Sequence, residues 1–200
     1  EKRSEDIKDK MESVIKQSKT LQHKVEDMQR KMVDKNEIGW QEKQALKQLL
    51  DKQNELQQQV REIQNENKEK NLKENQYTEL SPDVLEKQKQ LEELFNKVMT
   101  EDLKKMYDEL QKMLDEVNKD KVAEMLDKMK GDTRSIEKEI DRNLELFKQL
   151  ELEQKMQQII DKTLKLSEDQ EKLSEETNNA SRNDIQSLSK KQDELNGQFD

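Results

Sequence analysis

A chain of 200 residues in which 42% are charged and 29% hydrophobic, with three Gly and one Pro, lies far from the roughly half-apolar make-up of an ordinary globular domain, so a large compact core is excluded. The net charge of -9 and pI near 5.0 argue against nucleic acid as the partner, because binding to phosphates draws on clustered Lys and Arg. Cysteine is absent, which removes disulfides and thiolate chemistry, and apolar runs stop at two residues, as in Leu49-Leu50, which leaves no signal-peptide core, no membrane span and no expected membrane contact by these residues.

Leu, Ile, Val and Phe together number 43 of 200, just above the roughly 20% level below which disorder becomes the default. Such a chain must place its apolar groups economically. Long helices do this, because helical spacing gathers sparse apolar residues onto one seam and leaves the rest of the cylinder charged. The pattern therefore predicts an all-α protein, an elongated antiparallel helical bundle of coiled-coil-like hairpins with two short helices in the middle. Three regions are expected: a hairpin over 1-79, three shorter helices over 80-131, and a long helix with a C-terminal helix over 132-200. The chain starts at Glu1 rather than Met and reads as a piece of a longer protein.

The first element runs Ile7, Met11, Val14, Ser18, Leu21, Val25, Met28, Met32, a 4-3 alternation that only Ser18 violates. Gly39 is taken as its C-terminal stop. A second 4-3 run follows: Leu46, Leu49, Gln53, Leu56, Val60, Ile63, Asn67. The short connection makes the two antiparallel neighbours, arms of about 35 residues and about 50 Å. Ser81-Pro82-Asp83 then reads as an N-cap, a proline at the first helical position and an acid in the first turn. The helix that starts there carries Val84, Gln88, Leu91, Phe95 and Val98.

Two short helices are expected next, the first through Met106, Tyr107, Leu110 and Leu114, the second through Val122, Met125, Leu126 and Met129 and ending at Gly131. Their stripes are wide and rich in Met. A long helix then carries Ile136, Ile140, Asn143, Phe147 and Leu150, and continues on a different phase as Leu152, Met156, Ile159, Leu166, Gln170 and Leu173. That shift marks a stutter or an exchange of partners. A break is expected at 178-184, with Ser181 and Asp184 in a capping-box-like spacing, before a last helix with Ile185, Leu188, Gln192 and Leu195.

One arrangement recurs. Glutamine stands on the seam between apolar residues in Leu49/Gln53/Leu56, Val84/Gln88/Leu91, Leu166/Gln170/Leu173 and Leu188/Gln192/Leu195. Repetition in separate helices makes a unique ligand or catalytic role for Gln53 improbable and points to a core device that disfavours slipped registers.

The chemistry-bearing residues are few. His23 is the sole histidine; Glu26 and Asp27 lie within helical reach, but a metal site needs three or four converging ligands, so a solvated histidine is expected. No nucleophile-base pair can be assembled from one His and no Cys. The 47 carboxylates alternate with lysines as helix support, and three isolated glycines make no phosphate-binding loop. No catalytic residue, metal or cofactor is expected, and the chain reads as non-enzymatic. Asn179-Ala180-Ser181 fits the N-glycosylation triplet but is already accounted for as loop and cap. The basic stretch Lys119 to Lys130 (KDKVAEMLDKMK) is interrupted by three acids and reads as a solvated face.

Trp40, beside Gly39, is a docking candidate, although its ring is expected to close the hairpin end on Met32 or Leu46. Met106, Met113, Met125 and Met129 form the other candidate surface, an adaptable apolar groove of the kind used by chaperones and carriers.

Ile140 to Met156 (IDRNLELFKQLELEQKM), with Leu166 to Thr177 (LSEDQEKLSEET), resembles a helical region of a family of large, membrane-anchored bacteroidete proteins of unknown function. The resemblance covers about residues 80 to 199 and implies a helical part of an envelope protein, exposed beyond an anchor that lies outside these residues. It carries over no catalytic residue. The expected function is that of a spacer or protein-docking scaffold, with self-association open. A carrier-like module and a chain that orders only with its partner are the alternatives.

Overall fold

The structure, a computed structural model, describes residues 2-33, 38-77, 80-98, 119-181 and 184-199. Sparse apolar residues at 4-3 spacing can be buried only if the backbone is helical, and the described elements are five α-helices. α1 spans Lys2–Val33 and α2 spans Trp40–Tyr77. In α1 all eight seam positions from Ile7 to Met32 are buried, Ser18 included. In α2 the seam from Leu46 to Asn67 is likewise buried, with Gln53 on it.

Contacts between the two arms fix their sense. Arg3 pairs with Glu69, Lys10 with Glu66, and the Gln17 and Gln59 amides exchange hydrogen bonds of 3.1 and 3.4 Å. Position climbs on one helix as it falls on the other, so the hairpin is antiparallel, as its short connection predicts. Gly39 has a different role from the expected one. Its carbonyl accepts from Lys43 N at 3.2 Å, which makes it the entry of α2 rather than the stop of α1.

α3 spans Pro82–Val98 and begins as its cap residues dictate: Val84 N donates to Ser81 Oγ at 3.4 Å and Leu85 N to the Ser81 carbonyl at 3.1 Å. It runs antiparallel to α2, with Gln64 donating to Asn96 and Lys68 pairing with Glu92, both at 2.8 Å.

α4 spans Lys119–Asn178, 60 residues, and passes straight through Gly131. The expected helix end at Gly131 is therefore corrected, and the second short helix is the first turns of α4. The first short helix, with Met106, Tyr107 and Met113, lies outside the described residues. The physical reason is one of magnitude. A helical glycine costs about 1 kcal/mol relative to alanine, whereas Met129, Thr133 and Ile136, spaced across it, are all at most 1% exposed. Burying even one such apolar side chain is worth about 1.5–3 kcal/mol. Gly131 is exposed, has no positive φ, and a Cβ there would meet nothing within 4 Å. Gly131→Ala is thus expected to stabilise by about 0.5–1 kcal/mol and raise the midpoint of thermal unfolding by a few degrees. A lowered midpoint would show that the backbone there needs glycine.

Two compact units divide the chain, Glu1–Leu150 and Glu151–Asp200. This differs from the three expected regions because the hairpin does not stand alone. Within the first unit, α4 runs antiparallel to α1 through Gln29 and Asp127 at 2.6 Å, Lys130 and Glu26 at 3.0 Å, and Gln22 and Glu137 at 2.5 Å. The Lys130 ammonium holds the Glu26 carboxyl below the usual carboxylate range. α4 also runs parallel to α2, where Thr133 meets Gln53 and Lys70 Nζ stands 5.2 Å from the centre of the Phe147 ring. One continuous core results, with Phe95, Phe147, Met11, Ile63 and Leu126 among its fully buried members.

The second unit holds the rest of α4, the turn at Asn179, and α5, Ile185–Phe199. The expected break is present. Ser181 N and Oγ both donate to Asp184 Oδ2, at 3.1 and 2.7 Å, and the hydroxyl bond, then the backbone bond, lower the Asp184 pKa. Asp184 opens α5 by accepting from Leu188 N at 3.0 Å.

Candidate functional site

The recurring seam glutamines come first, because they are where polar chemistry meets the core. Gln53, 3% exposed, accepts a 2.6 Å hydrogen bond from Thr133 Oγ1. Gln170 and Gln192, which share the same sequence setting, are each other's partner: their amides exchange hydrogen bonds of 2.9 and 2.8 Å. Gln88 faces a groove of about 350 Å³ between α2 and α3, shared with Asn67, Asn71 and Phe95. There Gln88 Nε2 and Asn67 Oδ1, a donor and an acceptor, are both buried without a hydrogen-bond partner among the described residues. Gln53, Gln170 and Gln192 thus fasten one helical segment to another, whereas the buried Gln88 amide nitrogen makes no such bond, and nothing in their geometry brings a reacting group to them.

No cluster of three His, Cys, Asp or Glu that could hold a metal occurs among the described residues. His23 lies on the surface, its side chain 81% exposed, with Nδ1 4.0 Å from Glu26 Oε2. Across the hairpin, Lys24 faces Lys52, whose hydrogen bond and like charge lower the Lys24 pKa. Among the described residues no helix is long and apolar enough to cross a membrane.

The candidate interaction residues separate into three cases. Met125 and Met129 are buried in the core of the first unit, so their side chains fill that core and do not line an open groove. Met106 and Met113 lie outside the described residues. Trp40 is 75% exposed, whereas Met32 and Leu46 are buried without it, which corrects the expectation that the ring closes the hairpin on them. An unpacked indole at the start of α2 leaves Trp40 available to another surface, but a single exposed aromatic is ordinary on proteins.

A larger feature lies in the second unit. Leu152, Met156, Ile159, Ile160 and Leu164 are each between 50% and 64% exposed, on four turns of one helix. Five large apolar side chains in a row are not scattered exposure; contiguous apolar surface of this kind marks a place where something binds. Further along the same seam, Leu166 is half-buried and Leu173 is 5% exposed, because α5 folds back over that end. Reciprocal bonding of Gln170 with Gln192 and the 2.7 Å pair of Lys191 with Glu176 hold it there.

Sequence reasoning saw the change of phase at Leu150 and Leu152 but not its outcome. The shift falls at the division between the units, and the new seam is covered only in part. Ile160 and Leu164 lie off the 4-3 pattern, and their widening of the stripe was the signal available. Compared with protein-family models, with curated proteins and with solved structures, the chain matches none of them.

Proposed function

We propose that the chain is a non-enzymatic interaction segment of a larger cell-envelope protein, working as a spacer that presents a docking surface to other proteins. The observation that carries docking is the exposed row Leu152, Met156, Ile159, Ile160 and Leu164. Leaving it in water is costly unless a partner covers it. The envelope setting rests on the resemblance of Ile140 to Met156 and Leu166 to Thr177. The spacer role rests on long helices in a chain with too few apolar residues for a wide core.

Hydrophobic dye binding tests the docking surface and separates it from the carrier-like alternative. Dye fluorescence with the folded protein is expected to fall when Leu152 and Ile159 are changed to Gln, with helicity unchanged. A loss on changing Met106 and Met113 instead, with helicity unchanged, would favour the methionine groove, and no dye binding by the folded protein would count against both. Small-angle X-ray scattering tests the spacer: a radius of gyration near roughly 16 Å, the globular value for 200 residues, would sink it.

A further inference from the structure

The groove between α2 and α3 gathers three amides whose polar ends the fold does not satisfy. Asn67 and Gln88 are 1% and 6% exposed, and Asn67 Oδ1, Asn71 Oδ1 and Gln88 Nε2 are all buried without a hydrogen-bond partner among the described residues. All three residues line one cavity of about 350 Å³. A buried polar atom without a bond is costly, and three of them around one cavity call for an explanation that packing does not supply. Elsewhere in this chain amides are met by amides: Gln17 with Gln59, and Gln170 with Gln192, each exchange one donated and one accepted bond.

Helix register describes the rest of the groove. Gln64 donates to Asn96 and Lys68 pairs with Glu92, both at 2.8 Å, bridging α2 and α3 at the end where Phe95 is buried. One turn further, the same antiparallel register brings Leu72 level with Gln88, and another turn brings Asn75 level with Leu85. Leu72 and Leu85 are 63% and 45% exposed, so apolar surface stands in water beside the buried amides. Charge is confined to exposed positions: Lys68 and Glu92 neutralise each other, and Lys89 lies at the surface. The buried part of the lining is neutral.

Two acceptors and one donor are met by a group that offers two donors beside one acceptor oxygen, and a primary carboxamide is such a group. A half-turn about the last side-chain bond, which brings either end of an amide to the cavity, leaves the match intact, because a carboxamide both donates and accepts. A carboxylate or a ketone only accepts, and an ammonium only donates. The volume lies at the small end of ligand pockets, which are apolar with a few placed polar groups. We propose that the α2–α3 groove is a binding site for a small apolar molecule bearing a primary carboxamide, its amide on Asn67, Asn71 and Gln88 and its body against Phe95, Leu72 and Leu85. The site belongs to the first unit and is independent of the exposed row on α4.

Benzamide, benzoate and acetophenone, three molecules of similar size, test this by NMR titration of the isotope-labelled 200-residue chain at high salt, which screens Lys89. Benzamide is expected to shift the side-chain amide resonances of Asn67 and Gln88 and, read from those resonances, to bind about ten-fold tighter than the other two. Gln88→Leu, an apolar residue on a seam position, is expected to stay helical by circular dichroism and to erase that preference while acetophenone binds as before. Asn71→Ala, at a half-buried position off the seam, tests the same point without touching the core and is expected to reduce the preference. Equal binding of the three molecules would make the groove an apolar slot in which the amides take no part, and overturns the proposal. So does a preference for benzamide that survives both substitutions, or benzamide that leaves the Asn67 and Gln88 resonances unmoved, the result expected if water alone meets these amides. None of these outcomes bears on the row from Leu152 to Leu164, whose test is dye binding.

Discussion

Phe147→Ala is expected to destabilise the protein by about 3–5 kcal/mol, a large part of the roughly 5–15 kcal/mol that stabilises an ordinary domain. Phe147 is 0% exposed and sits on the α4 seam between Ile140 and Leu150, both also 0% exposed. The loss has three parts. The ring's transfer into the core is forfeited, a cavity opens that neighbouring helices cannot fully close, and Lys70 loses the aromatic face 5.2 Å from its ammonium. Lys70 is itself only 6% exposed and keeps its 3.0 Å pair with Glu74 after the ring is gone. Lys70→Met, which retains the apolar stem and removes the charge, is therefore expected to cost less, about 1 kcal/mol. Urea unfolding followed by circular dichroism measures both. A midpoint unchanged by Phe147→Ala would mean that α4 does not close the core of the first unit, and equal losses for the two variants would mean that the ammonium rather than ring burial dominates.

What could be read from the sequence were the features that are local or periodic. The 4-3 run of α1 translated residue by residue into buried positions, Ser18 included, because a helical seam is decided by spacing alone. The start of α3 was equally legible, since Ser81, Pro82 and Asp83 each act within one turn. Gly131 was misread for the opposite reason. A local breaker signal of about 1 kcal/mol competes with burial on both sides of it, and burial depends on helices distant in the chain. Met125 and Met129 looked adaptable because composition cannot tell a filled groove from an open one, and here both are buried in the core of the first unit. The stripe from Leu152 to Leu164 was visible as a pattern but not as a site: which part of the α4 seam is covered depends on the register of α5 against α4, marked by the Gln170 and Gln192 pair. Helical heptads name faces, and only tertiary structure names which face is left over.

The paired substitutions Gln53→Leu and Thr133→Val are expected to act in opposite directions, although they break the same hydrogen bond. Thr133 Oγ1 has two acceptors at 2.6 Å, Gln53 Oε1 and the Met129 carbonyl one turn back on its own helix. A hydroxyl has one hydrogen, so it cannot fully serve both. When Gln53 becomes Leu, Thr133 still donates to Met129, no buried hydroxyl is orphaned, and an apolar side chain replaces an amide whose Nε2 was already buried without a partner. The thermal midpoint should rise. When Thr133 becomes Val, Gln53 keeps its buried amide, 3% exposed, and loses its one hydrogen-bond partner across the helices. That should cost about 1–3 kcal/mol, the usual penalty for a buried polar group left unsatisfied. The double variant removes both polar groups and should recover most of the loss. Light scattering adds the second readout: if Gln53 holds helix register, Gln53→Leu gains stability but broadens the distribution of oligomers, as the loss of a buried polar seam residue does in paired helices. A stabilised Gln53→Leu with a single unchanged oligomer would leave the amide without a register role. Equal losses for both single variants would show instead that the shared bond outweighs the back-bond to Met129, because only then does removing either partner expose the same energy.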